Sequence, residues 1–268
     1  EILIYERRDR MKKKKFRIVI VGGGTGLSTV LRGLKTSELL DITAIVTVAD
    51  DGGSSGRLRE DYHIPPPGDV RNVIAALSEV EPLVERMFQY RFTQSQTLGG
   101  HSLGNLMLTA LTDITGDFNY AVAEMSKVFN VRGKVLPASN EHVTLYAELE
   151  DGTFVVGESN IPKASAKIHR VYLEPANAQA LPETIRAIRL ADLILIGPGS
   201  LYTSIIPNLL VPEIGEAIVK ASGRKVYIGN LMTQKGETSG MSASDHVEAL
   251  YEHVGTPFLH HILVNDME

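Results

Sequence analysis

A chain of 268 residues, 43% of them hydrophobic, is long enough for one large globular domain or two small ones. It has no cysteine, which excludes disulfides, thiolate metal sites and cysteine nucleophiles together. The formal net charge of −5 argues against a nucleic-acid partner, and no apolar run approaches the roughly 18 residues that an integral membrane helix needs.

The first elements in chain order are a basic leader over residues 1–15 and the strand that follows it. The stretch "MKKKKFRIVIVGGG" reads as a natural start at Met11, with the lysines Lys12–Lys15 solvated. It has no signal-peptide cleavage pattern, so a cytoplasmic location is expected. Residues 16–268 read as a single Rossmann-like nucleotide-binding domain. Short β-branched runs at Arg17–Val21, Ile42–Val48, Asp192–Ile196, Lys225–Ile228 and His260–Val264 are apolar on both faces, as covered parallel strands are. Helix-period segments lie between them at Ser28–Leu34, Pro82–Tyr90, Ser102–Leu111, Tyr120–Phe129, Pro182–Leu190, Ile214–Ala221 and Ala243–His253. This alternation predicts a doubly wound, mostly parallel sheet with helices on both faces. Around residues 142–175 the rhythm changes. His142–Ser159 alternates apolar and polar about Asp151-Gly152, a pair that favours a type I′ hairpin, and Ala166–Pro175 offers a third antiparallel strand. A small inserted β-element is expected there. Because the chain stops just after a strand, the domain is expected to continue past residue 268.

In such a sheet ligands sit beyond the carboxyl ends of the strands, so the junctions there carry the functional signal. After the first strand comes "GGGTGLS", in which Gly23, Gly24, Thr25 and Gly26 precede a helix start that favours an anion. The strict dinucleotide fingerprint requires glycine where Leu27 stands, and a P-loop requires a lysine that is missing. A phosphate or diphosphate loop is therefore indicated, with its kind left open. After the second strand, "TVADDGGSSGRLREDYHIPPPGDVRN" combines the acids Asp50 and Asp51 with Ser54 and Arg57. An acid here either binds a ribose diol or holds Mg²⁺, and the arginine fork suits phosphate. Asp69 and Asn72 follow three prolines that stiffen the segment. "GGHSLGN" adds His101 and Asn105. "GPGSLYTSIIPN" adds Gly199 and Ser200, with Thr203 and Ser204 behind them, and "GNLMTQKGETSG" adds Asn230, Thr233 and Gln234. There is no nucleophile elbow, zinc-protease helix or Cys/His cluster. The residues indicate the binding of a phosphate more clearly than any bond-breaking step.

Taken together, "GGGTGLS", "TVADDGGSSGRLR", "PPPGDVRN", "HSLGN", "GPGSLYTSIIPNLL" and "NLMTQKGET" resemble the gluconeogenesis factor (YvcK-type) family, within the 2-phospho-L-lactate transferase (CofD)-like superfamily. The likeness runs from about Phe16 to the end of the chain. It implies a Rossmann-like fold, UDP-sugar binding (UDP-N-acetylglucosamine among them), and a regulatory role in cell shape and growth on gluconeogenic carbon. The transferase relatives imply Mg²⁺ and transfer of a nucleotide-linked phosphoryl group. By that likeness Gly24, Thr25 and Gly26 face a diphosphate, Asp50 stands near acceptor or metal, and Asn105 and Ser200 line the crevice. Two readings stay open, a nucleotide-sugar-binding regulator and a Mg²⁺-dependent transferase, with an NAD-dependent oxidoreductase a distant third. No cofactor is required by the residues, Mg²⁺ at Asp50 is the metal they admit, and a homo-oligomer is compatible with them.

Overall fold

The computed structural model describes residues 15–80 and 82–266, so the basic leader expected over 1–15 lies outside them except for Lys15. The first half of the chain forms β1 (Phe16–Gly22), α1 (Gly24–Leu34), β2 (Leu40–Val46), α2 (Gly53–Tyr62) and α3 (Pro67–Leu77). It continues through α4 (Pro82–Gln89), α5 (Leu103–Thr115), α6 (Phe118–Val128) and β3 (Lys134–Pro137). An antiparallel excursion follows, made of β4 (Thr144–Leu149), β5 (Phe154–Val156) and β6 (Ile168–Glu174). The chain then returns through α7 (Pro182–Leu190), β7 (Leu193–Ile196), α8 (Ile206–Leu209), α9 (Pro212–Lys220), β8 (Arg224–Ile228), α10 (Ala243–Val254) and β9 (His261–Leu263).

Six strands pair in the order β3-β2-β1-β7-β8-β9, every pair parallel. Numbered by their own sequence, this is the 3-2-1-4-5-6 order of doubly wound dinucleotide folds, and the order reverses between β1 and β7. Alternate side chains of the central strands feed two separate cores. Val19 and Val21 join Ile194 and Ile196 in one layer. Ile18 and Ile20 join Leu27, Leu31, Val73 and Leu77 in the other. Burial on both faces is why these strands read as unbroken apolar runs. The fold class expected from the sequence is the one observed. Among the described residues no helix is long and apolar enough to cross a membrane.

The excursion is a three-stranded antiparallel sheet in the order β5-β4-β6. Leu145, Ala147 and Leu149 of β4 point into the same core as Val19 and Ile194, while Thr144, Tyr146 and Glu148 are partly exposed. The hairpin turn differs from the expected type I′. Gly152 has φ +79°, but Asp151 has no positive φ, and its Oδ1 accepts the Thr153 N–H at 3.0 Å instead. An aspartate that caps the turn with its own side chain removes the need for a second left-handed residue.

Two helices and one strand carried no recognisable period. In α2, Leu58 is the one large apolar residue that is buried, and Ser54, Ser55 and Arg59 fill the other inward positions. α3 starts at Pro67, so the proline run that reads as a stiff loop places proline at the first helical position, where its missing N–H costs nothing. β3 is a four-residue edge strand ending in Pro137. α1 begins at Gly24, four residues before the Ser28 start read from the sequence.

Candidate functional site

β1 ends at Gly22 and α1 begins at Gly24, so one residue makes the turn. A Cβ on Gly23 would stand 2.6 Å from Asp69 Oδ2 and 2.6 Å from Thr47 Cγ2, so only glycine fits. Gly24 takes φ +63°, a region that L side chains enter at a cost. Across the switch point β7 ends at Ile196, and Gly197–Ser200 leads into a π-helical turn, Leu201–Ile205, that runs on as α8. The two turns abut, since a Cβ on Gly26 would lie 3.1 Å from the Pro198 carbonyl oxygen. Buried Asn208 ties them further, donating from Nδ2 to the Gly22 carbonyl at 3.2 Å and to the Ser204 carbonyl at 2.7 Å.

Over this junction lies a cleft of about 510 Å³. Of the residues expected to bind ligand, Gly23, Gly24, Thr25, Gly26, Asp50, Asp69, Gly199, Ser200 and Asn230 line it, and Thr203, Ser204, Thr233 and Gln234 lie beside them. Gly24, Asp50 and Ser200, which come from three separate strand ends, thus share one cavity. The Asn230 side chain brackets Gly199, and Gln234 donates from Nε2 to Ser200 Oγ at 2.8 Å. α1 starts with no side-chain cap, and first-turn N–H groups have no acceptor within a helix, so this wall presents amide donors at Thr25 and Gly26.

The facing wall is acidic. Burial raises Asp50 above the ordinary carboxylate range, although the Gly52 N–H bonds its Oδ1 at 2.9 Å. Burial, and then the charge of Asp50, push Asp69 up to about 7 against a stabilising hydrogen bond from the Gly24 N–H. Glu158 is pushed up to about 8 by burial and by the charges of Asp50, Asp69 and Asp51. Among the described residues no lysine or arginine lines the cleft. Near neutral pH this wall therefore holds neutral carboxyls that can donate to a ligand, or carboxylates that need a cation. No group of three or more His, Asp or Glu among the described residues is arranged to hold a metal by itself. Mg²⁺ characteristically takes one or two carboxylates and completes its shell with water and phosphate oxygens, and Asp50 fits that donor set.

The other six expected residues do not line this cleft. Ser54 and Arg57 belong to a stretch that reads as a loop, but residues 53–62 are helical, and successive side chains point around the axis. Asp51 faces the excursion, where its Oδ1 accepts the Ser159 N–H at 2.8 Å. Ser54, His101 and Asn105 form a buried network. His101 Nδ1 lies 3.0 Å from Ser54 Oγ, which accepts from Asn105 Nδ2 at 3.1 Å. Arg57 is exposed and donates to the Gly99 carbonyl at 2.8 Å. Asn72 is half-buried on α3. Thr47, Glu158 and Met232 line the cleft without having been singled out. Glu158 had no local signal, because contacts across the fold, the Asp51–Ser159 bond among them, bring its segment to the cleft.

The strand order and a cleft over its reversal point define an α/β protein of the Rossmann type with its site at the sheet's switch point. Residues 18–268 match the family model described as 2-phospho-L-lactate transferase CofD. The chain is 65% identical over 252 residues to the gluconeogenesis factor of Bacillus subtilis (strain 168), covering 94% of this chain and 79% of that one. It is 63% identical over 255 residues to the gluconeogenesis factor of Halalkalibacterium halodurans, covering 95% and 78%. A crystal structure of a Bacillus halodurans protein superposes with TM-score 0.93 at 62% identity, covering 95% of this chain and 82% of that one. The chain belongs to the CofD family, among its gluconeogenesis factors.

Proposed function

We propose that this protein binds a nucleotide sugar, UDP-N-acetylglucosamine or a close relative, and serves as a cytoplasmic regulator of cell shape and of growth on gluconeogenic carbon. One observation carries the reading: two abutting glycine turns and three carboxyls from separate elements converge on a single cleft. Backbone amides at Thr25 and Gly26 suit a diphosphate, and the carboxyl wall suits sugar hydroxyls, which both donate and accept. The names of the relatives, gluconeogenesis factors, support the gluconeogenic role. When present with ligand, Mg²⁺ would be held by Asp50 and would offset the negative charge between phosphates and acids.

The second reading is a Mg²⁺-dependent transfer of a nucleotide-linked phosphoryl group, which the CofD family match favours. A thermal-shift experiment with turnover in parallel separates the two. A ligand that binds only the folded state adds about 2.7 kcal/mol at a hundredfold excess over its dissociation constant. At roughly 2–4 °C per kcal/mol for a chain of this size, UDP-N-acetylglucosamine should raise Tm by about 5 °C or more without being consumed. Indifference to UDP-sugars together with a response to another nucleotide removes the first reading. Release of free nucleotide with Mg²⁺ and an acceptor supports the second.

A further inference from the structure

Glu237, on the loop after β8, is a buried acid that the cleft itself does not account for. It is absent from the cleft lining and stands behind it, against the turn that follows β7. Four donors of that turn converge on its carboxyl group. The Tyr202 N–H bonds Oε2 at 3.3 Å, and the Thr203 hydroxyl bonds Oε1 at 3.2 Å. The Thr203 N–H and the Ser200 hydroxyl bond it as well. Four converging donors suit an ionised carboxylate, which only accepts. Burial raises Glu237 above the ordinary carboxylate range, and these hydrogen bonds oppose that rise.

The turn after β7 is therefore unlike the turn after β1. Asn230 Oδ1 already holds the Gly199 N–H, and Glu237 takes the amides of Tyr202 and Thr203. Ser200 Oγ accepts from Gln234 Nε2 at 2.8 Å and gives its one hydrogen to Glu237. It keeps a lone pair for a ligand and no hydrogen. Charge acts the same way, because the field of Glu237 reaches Glu158 on the facing wall. At the first turn, by contrast, no side chain caps α1, and the Thr25 and Gly26 amides stay open.

We propose that Glu237 is a specificity-determining residue of the cleft, an internal anion that confines the ligand's phosphates to Thr25 and Gly26 and reserves the Ser200 side for an uncharged, hydrogen-bond-donating group such as a sugar hydroxyl or an amide N–H. This rests on the nucleotide-sugar reading above. Calorimetry with UDP-N-acetylglucosamine, UDP and UTP tests it, since UTP carries an anion where the sugar would lie. The wild type should bind UDP-N-acetylglucosamine at least tenfold more tightly than UTP. Glu237→Gln removes the charge and must donate one hydrogen to a turn hydroxyl, which frees that hydroxyl to donate to the ligand. It should narrow the preference to under threefold, chiefly through tighter UTP binding. Ser200→Ala should weaken UDP-N-acetylglucosamine at least fivefold while UDP stays within twofold, and it decides the matter if Glu237→Gln does not fold. An unchanged preference in folded Glu237→Gln, or equal losses for UDP and UDP-N-acetylglucosamine in Ser200→Ala, would overturn this proposal alone. A wild type that binds none of the three would overturn the nucleotide-sugar reading with it.

Discussion

The side-chain amide of Asn230 bonds both backbone groups of Gly199, accepting the N–H at 3.1 Å and donating to the carbonyl at 2.9 Å. A residue just past the end of β8 thus fixes the turn after β7, much as a neighbouring strand would. Asn230→Ala leaves both backbone groups without this partner at a half-buried position. Losing a buried partner costs about 1–3 kcal/mol, so Tm should fall by several degrees, with UDP-sugar affinity falling at least tenfold. A variant with full affinity and unchanged Tm would show that Gly199 holds its conformation unaided.

Asp50→Asn tests whether the acid is there for charge or for shape. Asparagine keeps an oxygen that can accept the Gly52 N–H, and it removes a charge that burial disfavours. Tm without ligand should hold within about 2 °C or rise, while Mg²⁺-dependent ligand affinity drops about tenfold. A large loss of Tm without ligand would instead make Asp50 an architectural cap of α2.

Gly24 and Gly53 make a matched pair. Both have positive φ, +63° and +49°, and a Cβ on either meets no atom within 4 Å. Alanine at either position should cost about 1–2 kcal/mol of stability for backbone strain alone. Gly24 lines the cleft and Gly53 does not, so only Gly24→Ala or Gly24→Val should also weaken ligand binding, which calorimetry on both variants would measure. Equal affinities would mean that the glycine turn is purely conformational.

The acid wall makes stability depend on pH. Asp69 and Glu158 rise from ordinary values of 3.8 and 4.5 to about 7 and about 8 in the fold. A raised acid favours the folded state while protonated, so this contribution is complete below about pH 4 and is lost as pH climbs through 7 and 8. Tm without ligand should therefore fall between pH 5 and pH 8.5. The slope should flatten in a variant carrying Asp69→Asn and Glu158→Gln. A wild-type slope no steeper than the variant's would show that the carboxyls are well solvated.

Much of this was legible in the chain. The β-branched runs declared the parallel sheet because both faces are buried, and four of the five junctions singled out contribute to the cleft. What stayed hidden had physical reasons. α2 hides its period because Ser54, Ser55 and Arg59 occupy inward positions that pattern-reading reserves for apolar side chains. Asp51, Ser54 and Arg57 were placed on one rim because an unrecognised helix was read as a loop. Glu158 stayed invisible because its position depends on pairing between segments more than a hundred residues apart, which no local spacing encodes.

The adjacent acids Asp50 and Asp51 divide their work, one lining the cleft and the other fastening the excursion that delivers Glu158. The scaffold thereby separates two tasks along two neighbouring carboxylates. On the proposed reading the sheet rim grips the diphosphate, and a change in the strap hung from Asp51 would alter what rides on the phosphates while leaving the floor beneath intact.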